Sequence, residues 1–423
     1  MGQAAFGTLF LIVMDKAIAK LFKAKNWSFP SALGAMVGVF LTLCTFRVFH
    51  EDLAEGISDG LSPAVSLIKA WLPLFFVPPL VVLPLKMHLL KGVGVQLSLV
   101  VAIGSVLSLT SAGLFAQLVD NLFPVTKVEG AAPASPVVSA PLPSLPPLSI
   151  PAAATALFLA GSKLLPLIAP SASPMVRGLV QGAFGAAATV TGYITGTKLP
   201  AKVKKIAHPV LICAALTTAL LLVFGSLNGI ATAAVLSQYF GSGSMRGSGD
   251  IISSMLGPAI ISFGIQLYQY RAMLRENIFR VMSTTAFSAS FGLTSSALLV
   301  KAFKLAPKQT AFAPLTRCIT TPLALAGARL TGADPSLSAF VVVVTGILGA
   351  SLGESLLEAV GVKEPVSVGL AVGAGAHGLG AAAVANDPIK FASAVVSMTL
   401  TGLWTVALMS YTPLRQWLVK LCL

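Results

Sequence analysis

Residues 365–386 read PVSVGLAVGAGAHGLGAAAVAN. His377 is the only ionisable side chain in it, and four glycines crowd into Gly373–Gly380 around that histidine. The stretch has the length of the roughly 20 mostly apolar residues that cross a hydrocarbon core. Its glycines, however, are those of a helix that packs closely or breaks. A segment that is apolar enough for lipid, irregular in the middle and titratable at the irregularity sets the reading of the whole chain.

Working outward, 336–358 and 391–411 are apolar runs of the same length. Across all 423 residues 56% are hydrophobic and 10% are charged, and mean hydropathy is +0.89. A soluble domain carries about 25% charged residues. Thirty-eight Gly and 27 Pro in an aliphatic background fit transmembrane helices, which tolerate both. This composition excludes a soluble globular enzyme, a collagen and a disulfide-stapled secreted domain.

Candidate spans fall near 4–22, 29–49, 63–85 and 92–119. After a linker they continue near 152–169, 176–197, 206–223, 226–240, 250–269, 278–300, 310–330, 336–358, 365–386 and 391–411. Some of these are short or interrupted, so the expected fold is an all-α polytopic membrane protein with about 12 transmembrane helices. The linker, 123–151, contains KVEGAAPASPVVSAPLPSLPPLSIP, a Pro/Ala/Ser-rich tether of polyproline type. It separates an N-terminal four-helix unit, 1–122, from a larger C-terminal unit, 152–423.

The net charge of +14 reports topology. Basic residues cluster between apolar runs, as at Lys16–Lys25, Lys86 and Lys91, Lys198–Lys205, Arg271–Arg280 and Lys301–Lys308. The 50–59 loop, with Glu51, Asp52, Glu55 and Asp59, is acidic. Alternating loop charge places 16–25 and 86–91 on the positive-inside face, and a nucleic-acid partner is not implied. Cys44, Cys213, Cys318 and Cys422 are scattered without CxxC spacing and read as buried thiols. The first apolar stretch runs on into further spans without a cleavage pattern, so no secretory signal is read there.

Two long segments share a pattern. Residues 226–300 run span, Gly-rich loop, broken helix with Leu256-Gly257-Pro258-Ala259, span. Residues 337–411 run span, loop, small-residue helix with Gly375, His377 and Gly378, span. Paired Gly/Pro-interrupted segments point to a transporter site. Pro258 removes a donor and Gly257 removes cover, so such a break persists in lipid only inside protein or beside water. The free N–H groups of a half-helix starting there suit an anion; close helix packing is the plainer use of the same glycines.

His377 inside an apolar span is a functional candidate suited to proton handling or to bonding a small acid, whereas His50, His88 and His208 lie at loop edges. A lone histidine cannot build a metal site. Arg317 in Thr316-Arg317-Cys318-Ile319-Thr320-Thr321-Pro322 is the second anomaly, lying between Pro314 and Pro322. At membrane depth an arginine is costly without a partner, and its planar fork matches a carboxylate; a snorkelling interfacial arginine is the alternative. Ser253, Ser254, Thr320 and Thr321 are candidate partners for substrate hydroxyls. Asp15-Lys16 reads as the end of the first span, with a mutual ion pair as the alternative, and Trp71–Pro79 as a kinked aromatic helix. Walker, dinucleotide, GxSxG, HExxH and paired-carboxylate signatures are missing, so neither enzyme chemistry nor a cofactor is expected.

In their order, these motifs resemble a known family. Phe29-Pro30-Ser31-Ala32-Leu33-Gly34 and Leu74-Phe75-Phe76-Val77-Pro78 look like motifs of LrgA/CidA membrane proteins. Leu256–Ala259, Arg317–Pro322, Pro335–Ala339, Thr345–Gly349 and Gly375–Gly380 look like successive motifs of LrgB/CidB proteins. Their fusion resembles the plastidal glycolate/glycerate translocator family of plants and algae. That resemblance implies a photorespiratory antiporter or proton-coupled carrier in the chloroplast inner envelope, made with a transit peptide that would be absent from this mature form. Glycolate and D-glycerate would be its substrates, membrane lipid its surroundings, and the N-terminal unit a scaffold or homo-oligomer contact. The bacterial relatives carry Lys at the Arg317 position, usually Thr at Ala381, and an acid near Asn386, which adds Asn386 to the candidate binding residues. The rivals are a holin-like pore or murein-hydrolase regulator, as the bacterial relatives are described, and a sodium-coupled carrier of bile-acid-symporter type.

Overall fold

The computed structural model describes the chain apart from residues 1, 28–29, 125–144, 170, 172, 201–202, 205–208, 242–246 and 385. Phe29, Lys202, Lys205, His208, the body of the expected linker and 242–246 of the Gly-rich loop lie outside the described residues.

The described residues form helices without a strand. In chain order they are α1 (Gly2–Ala24), α2 (Ser31–Phe49), α3 (Glu51–Phe75), α4 (Val77–Val81), a 3₁₀ helix (Leu83–Leu90), α5 (Gly94–Leu122), α6 (Ser149–Ile168), α7 (Pro174–Lys198), α8 (Pro209–Leu227) and α9 (Thr232–Tyr239). There follow α10 (Ser248–Ser253), α11 (Leu256–Gln269), α12 (Arg271–Glu276), α13 (Ile278–Ala302), α14 (Lys308–Ala311), a 3₁₀ turn (Ala313–Thr316), α15 (Thr321–Thr331), α16 (Pro335–Ala359), α17 (Pro365–Ala383), α18 (Pro388–Ser410) and α19 (Thr412–Cys422).

Eight segments are long and apolar enough to cross a membrane: Ser31–Phe49, Glu51–Val81, Gly94–Leu122, Pro209–Leu227, Ser248–Gln269, Pro335–Ala359, Pro365–Ala383 and Pro388–Ser410. Four further helices, α1, α6, α7 and α13, run for 20 to 25 residues, about 30–38 Å at the helical rise and enough to span. The chain is a polytopic all-α membrane protein.

Several expectations are corrected. The acidic stretch 50–59 is not a loop: α3 starts at Glu51, with Glu51 and Asp52 in its first turn, where carboxylates complement the helix dipole. Asp15-Lys16 does not end the first span, because α1 continues to Ala24 and carries much of the 16–25 basic cluster on its last turns. The region 226–240 holds only the eight-residue α9, too short to span. The region 310–330 is not one helix but three pieces, α14, the 3₁₀ turn and α15. The amphipathic α19 was not expected at all.

Three helix starts in the C-terminal region share a pattern. Asp334, Glu364 and Asp387 each precede a proline and accept backbone N–H bonds at the N-termini of α16, α17 and α18. Proline at the first helical position wastes no donor, and the acid satisfies two of the orphans.

The chain divides into two compact units. The first comprises Met1–Ile68, Leu89–Pro141 and Gly257–Leu423. In it α17 packs on α18, α16 and α5, and α13 packs on α5 and α18. Its buried cluster includes Ala116, Leu267, Val281, Leu370, Val396 and Leu400. Because lipid is as apolar as these side chains, close fit rather than dehydration holds such helices. Thus a Cβ on Gly373 would lie 2.2 Å from the Ala394 carbonyl oxygen, a contact only glycine permits.

The second unit comprises Lys69–His88 and Leu142–Leu256. There α7 packs on α6 and α8, and α4 on α8. Tyr193 donates to the Ala70 carbonyl at 2.6 Å, and Thr189 pairs with the Tyr239 hydroxyl at 2.9 Å.

Candidate functional site

Everything from Thr310 to Ala324 is buried. Pro314 and Pro322 each fit only the first turn of a helix. The 3₁₀ turn therefore takes up Pro314, α15 begins at Thr321, and Thr320 is extended (φ −64°, ψ 147°). Arg317 lies in this interruption with no exposed surface. It does not snorkel.

The Arg317 guanidinium is held by hydroxyls from two helices. Nη2 donates to Ser108 Oγ on α5 at 2.7 Å, and Nε donates to Ser296 Oγ on α13 at 2.9 Å. A longer contact from Nη2 reaches Ser295 Oγ at 3.5 Å. Ser296 donates its own proton to the Gly292 carbonyl at 2.6 Å, so its oxygen faces the arginine as an acceptor. Cys318 Sγ lies 3.4 Å from the same Ser108 oxygen. Arg317 Nη1 is buried and has no partner among the described residues, and no carboxylate pairs with this cation.

Uncompensated burial of an ion carries a penalty of several kcal/mol. Hydrogen bonds to a charged group return about 1.5–3 kcal/mol each, so two good ones offset much of the penalty. A charge remains, with one nitrogen unused.

Further buried hydroxyls in this region of the chain and on α16 are unused among the described residues. Thr320 Oγ1, three residues on, is buried without a partner, as are Ser338 Oγ and Thr345 Oγ1 on α16. Ser338, Val342 and Thr345 stand at i, i+4 and i+7 and share one helix face. The 3₁₀ turn before Arg317 packs on α16. Thr321 is buried in the first turn of α15.

The same face of α16 meets the irregularity in α17. His377 Nε2 lies 2.9 Å from the Val342 carbonyl oxygen, and a Cβ on Gly346 would come within 2.5 Å of His377 Cε1. His377 breaks α17 with φ 45° and ψ −140°, a conformation that glycine adopts freely and a side chain resists at a cost of about 1–3 kcal/mol. Strain held by surrounding contacts is a mark of a functional position. Gly375 meets Leu109 of α5, 3.0 Å from where its Cβ would be, while a Cβ on Gly378 would find Met398 Sδ at an ordinary 3.8 Å. Helix α5 therefore touches both interruptions, Arg317 through Ser108 and the α17 break through Leu109.

Ser253 and Ser254 belong to the second unit; Ser254 bonds back to the Ile251 carbonyl, and Ser253 Oγ has no partner among the described residues. The helix break falls at Ser254–Met255, before Gly257-Pro258, because Pro258 is accommodated in the first turn of α11. Gly257 is covered by the Asp15 carboxylate. Asn386 is exposed in the turn between α17 and α18.

Sequence reading passed over Gly104, Ser108, Ser295 and Ser296. Their signals were a Gly-x-x-x-Ser step on one apolar span and a Ser-Ser pair on another, the small-residue pattern of close helix contacts.

At the edge of the first unit Arg280, nearly fully buried, pairs with Asp120 at 2.9 Å and with Glu364, the N-cap of α17. It thereby ties α13, α5 and the start of α17 together.

A family model for LrgB-like proteins matches residues 189–413, a range that holds Arg317, α16, the α17 break and α18. The chain belongs to the LrgB-like family. Among its relatives, Plastidal glycolate/glycerate translocator 1, chloroplastic, of Arabidopsis thaliana is 34% identical over 412 residues, 96% of this chain and 78% of the relative. Antiholin-like protein LrgB of Bacillus subtilis (strain 168) is 30% identical over 159 residues, 37% of this chain and 68% of the relative. No solved structure shows significant similarity. In this LrgB-like protein Arg317 is a fully buried cation held by serine hydroxyls of α5 and α13.

Proposed function

We propose that this chain is a secondary transporter of small 2-hydroxycarboxylates, exchanging glycolate and D-glycerate or moving them with protons across the chloroplast inner envelope. The observation that carries the reading is the buried Arg317, whose Nη1 has no hydrogen-bond partner among the described residues. One monocarboxylate would neutralise one guanidinium, converting a costly lone charge into a pair. Thr320, Ser338 and Thr345 would then receive the substrate's hydroxyl groups, and His377 would sense or relay protonation at the α17 break. The plastidal name of the relative that matches nearly the whole chain supports the compartment and the substrate class. In chain order the proposed parts are an N-terminal unit 1–122, a linker 123–151 and a transport unit 152–423, with α5 of the first packing on α13, α16 and α17 of the last and homo-oligomer contact through the first. Purified protein in liposomes loaded with unlabelled D-glycerate should take up labelled glycolate saturably, and only against a counter-substrate. An unselective leak would instead favour the holin-like pore, the rival reading of the sequence.

A further inference from the structure

Ser108 and Gly104 lie on α5, before the 189–413 region that matches the LrgB-like model, yet they form the bed of the Arg317 guanidinium. A Cβ on Gly104 would lie 2.7 Å from both Nε and Cζ of Arg317. The guanidinium therefore lies directly on the α5 backbone, where no larger residue fits. One turn on, Ser108 Oγ accepts from Nη2 at 2.7 Å and from Cys318 Sγ at 3.4 Å. With Ser296 on Nε, the Nε–Nη2 edge of the fork is fully engaged. Only Nη1 is left without a partner.

We infer that Ser108 and Gly104 are positioning residues of the anion site: they hold Arg317 so that Nη1 alone is presented to the substrate carboxylate. The inference rests on the reading of Arg317 as the carboxylate-binding group. It gives the segment ahead of the LrgB-like region a part in substrate affinity. The physical basis is preorganisation, since an arginine whose rotamer is locked before binding loses less freedom on binding.

The test uses the full chain in proteoliposomes, with glycolate counterflow measured over a concentration range. Ser108→Ala should raise KM about tenfold while changing turnover little, because a charge-assisted bond that orients the ligand group is lost. Ser108→Thr, which keeps an acceptor oxygen, should restore KM. Gly104→Ala, which leaves Ser108 intact but pushes the guanidinium off its bed, should raise KM as Ser108→Ala does. Melting of the detergent-solubilised variants is recorded alongside. A wild-type KM in Ser108→Ala overturns the inference. So does a joint loss of turnover and melting temperature that Ser108→Thr does not rescue, since that is the signature of a merely structural serine. Absence of counterflow in the wild type would remove the transporter reading and this inference with it, whereas normal wild-type transport with unchanged variants removes the inference alone.

Discussion

The Asp15 carboxylate of α1 stands against Gly257, the second residue of α11: a Cβ on Gly257 would lie 2.4 Å from Asp15 Oδ1. The chain thus places a carboxylate of its own beside the half-helix start where sequence reasoning places the substrate's. A carboxylate near the first turn of a helix is stabilised by its dipole.

Gly257→Ala should lower the melting temperature of the solubilised protein, because overpacking at such a contact costs about 1–3 kcal/mol. Asp15→Ala in the same chain should recover most of the loss, since it removes the clashing group. Additive effects of the two substitutions in a double-mutant cycle would show that they do not touch.

Arg317→Ala should reduce glycolate counterflow at least about 100-fold, the scale of losing a charge and its hydrogen bonds from a dry site. Arg317→Lys keeps the charge but not the fork that Ser108 and Ser296 hold, so it should retain partial transport with a raised KM. Uptake by Arg317→Ala equal to wild type would remove the assignment.

Selectivity follows from charge balance. One buried guanidinium matched to one carboxylate leaves the site neutral, whereas a second carboxylate would be buried unpaired at several kcal/mol. Glycolate, D-glycerate and lactate should compete in the counterflow assay, while 2-hydroxymalonate, differing from glycolate by one added carboxylate, should compete at least about 100-fold more weakly. Equal competition by the dicarboxylate would point to a second cation in the site.

At His377 the backbone and the side chain make opposite demands. His377→Gly relieves the positive φ but loses the bond to the Val342 carbonyl; His377→Ala loses the bond and keeps the strain. The glycine variant should therefore be the more stable of the two by about 1–3 kcal/mol in thermal or denaturant unfolding. The reverse order would mean that α17 straightens when the histidine is removed.

Arg317 and His377 were legible in the sequence because each is ionisable in an apolar run, a local property that needs no partner to detect. The interruption around Arg317 was likewise announced by Pro314 and Pro322, although the 310–330 region read as one span until the chain was seen in three pieces. The start of α3 at Glu51 was not legible, since acidic residues mark a loop and a helix N-terminus equally well. Ser254 and Asn386 drew notice as polar groups near breaks, yet both are exposed.

By itself the sequence determined that the protein lives in a membrane, that it is helical, and that an arginine and a histidine sit where lipid-embedded proteins rarely place them. Hydropathy, proline and glycine act through the chain's own backbone over a few residues, and so can be read in order. What holds Arg317 was decided only by tertiary structure. Its closest hydroxyl, Ser108, is 209 residues away, and a serine on an apolar helix looks the same whether it faces lipid, a neighbouring backbone or a buried cation. The cost of burying that cation picks out the partner, and the cost appears only when the segments come together.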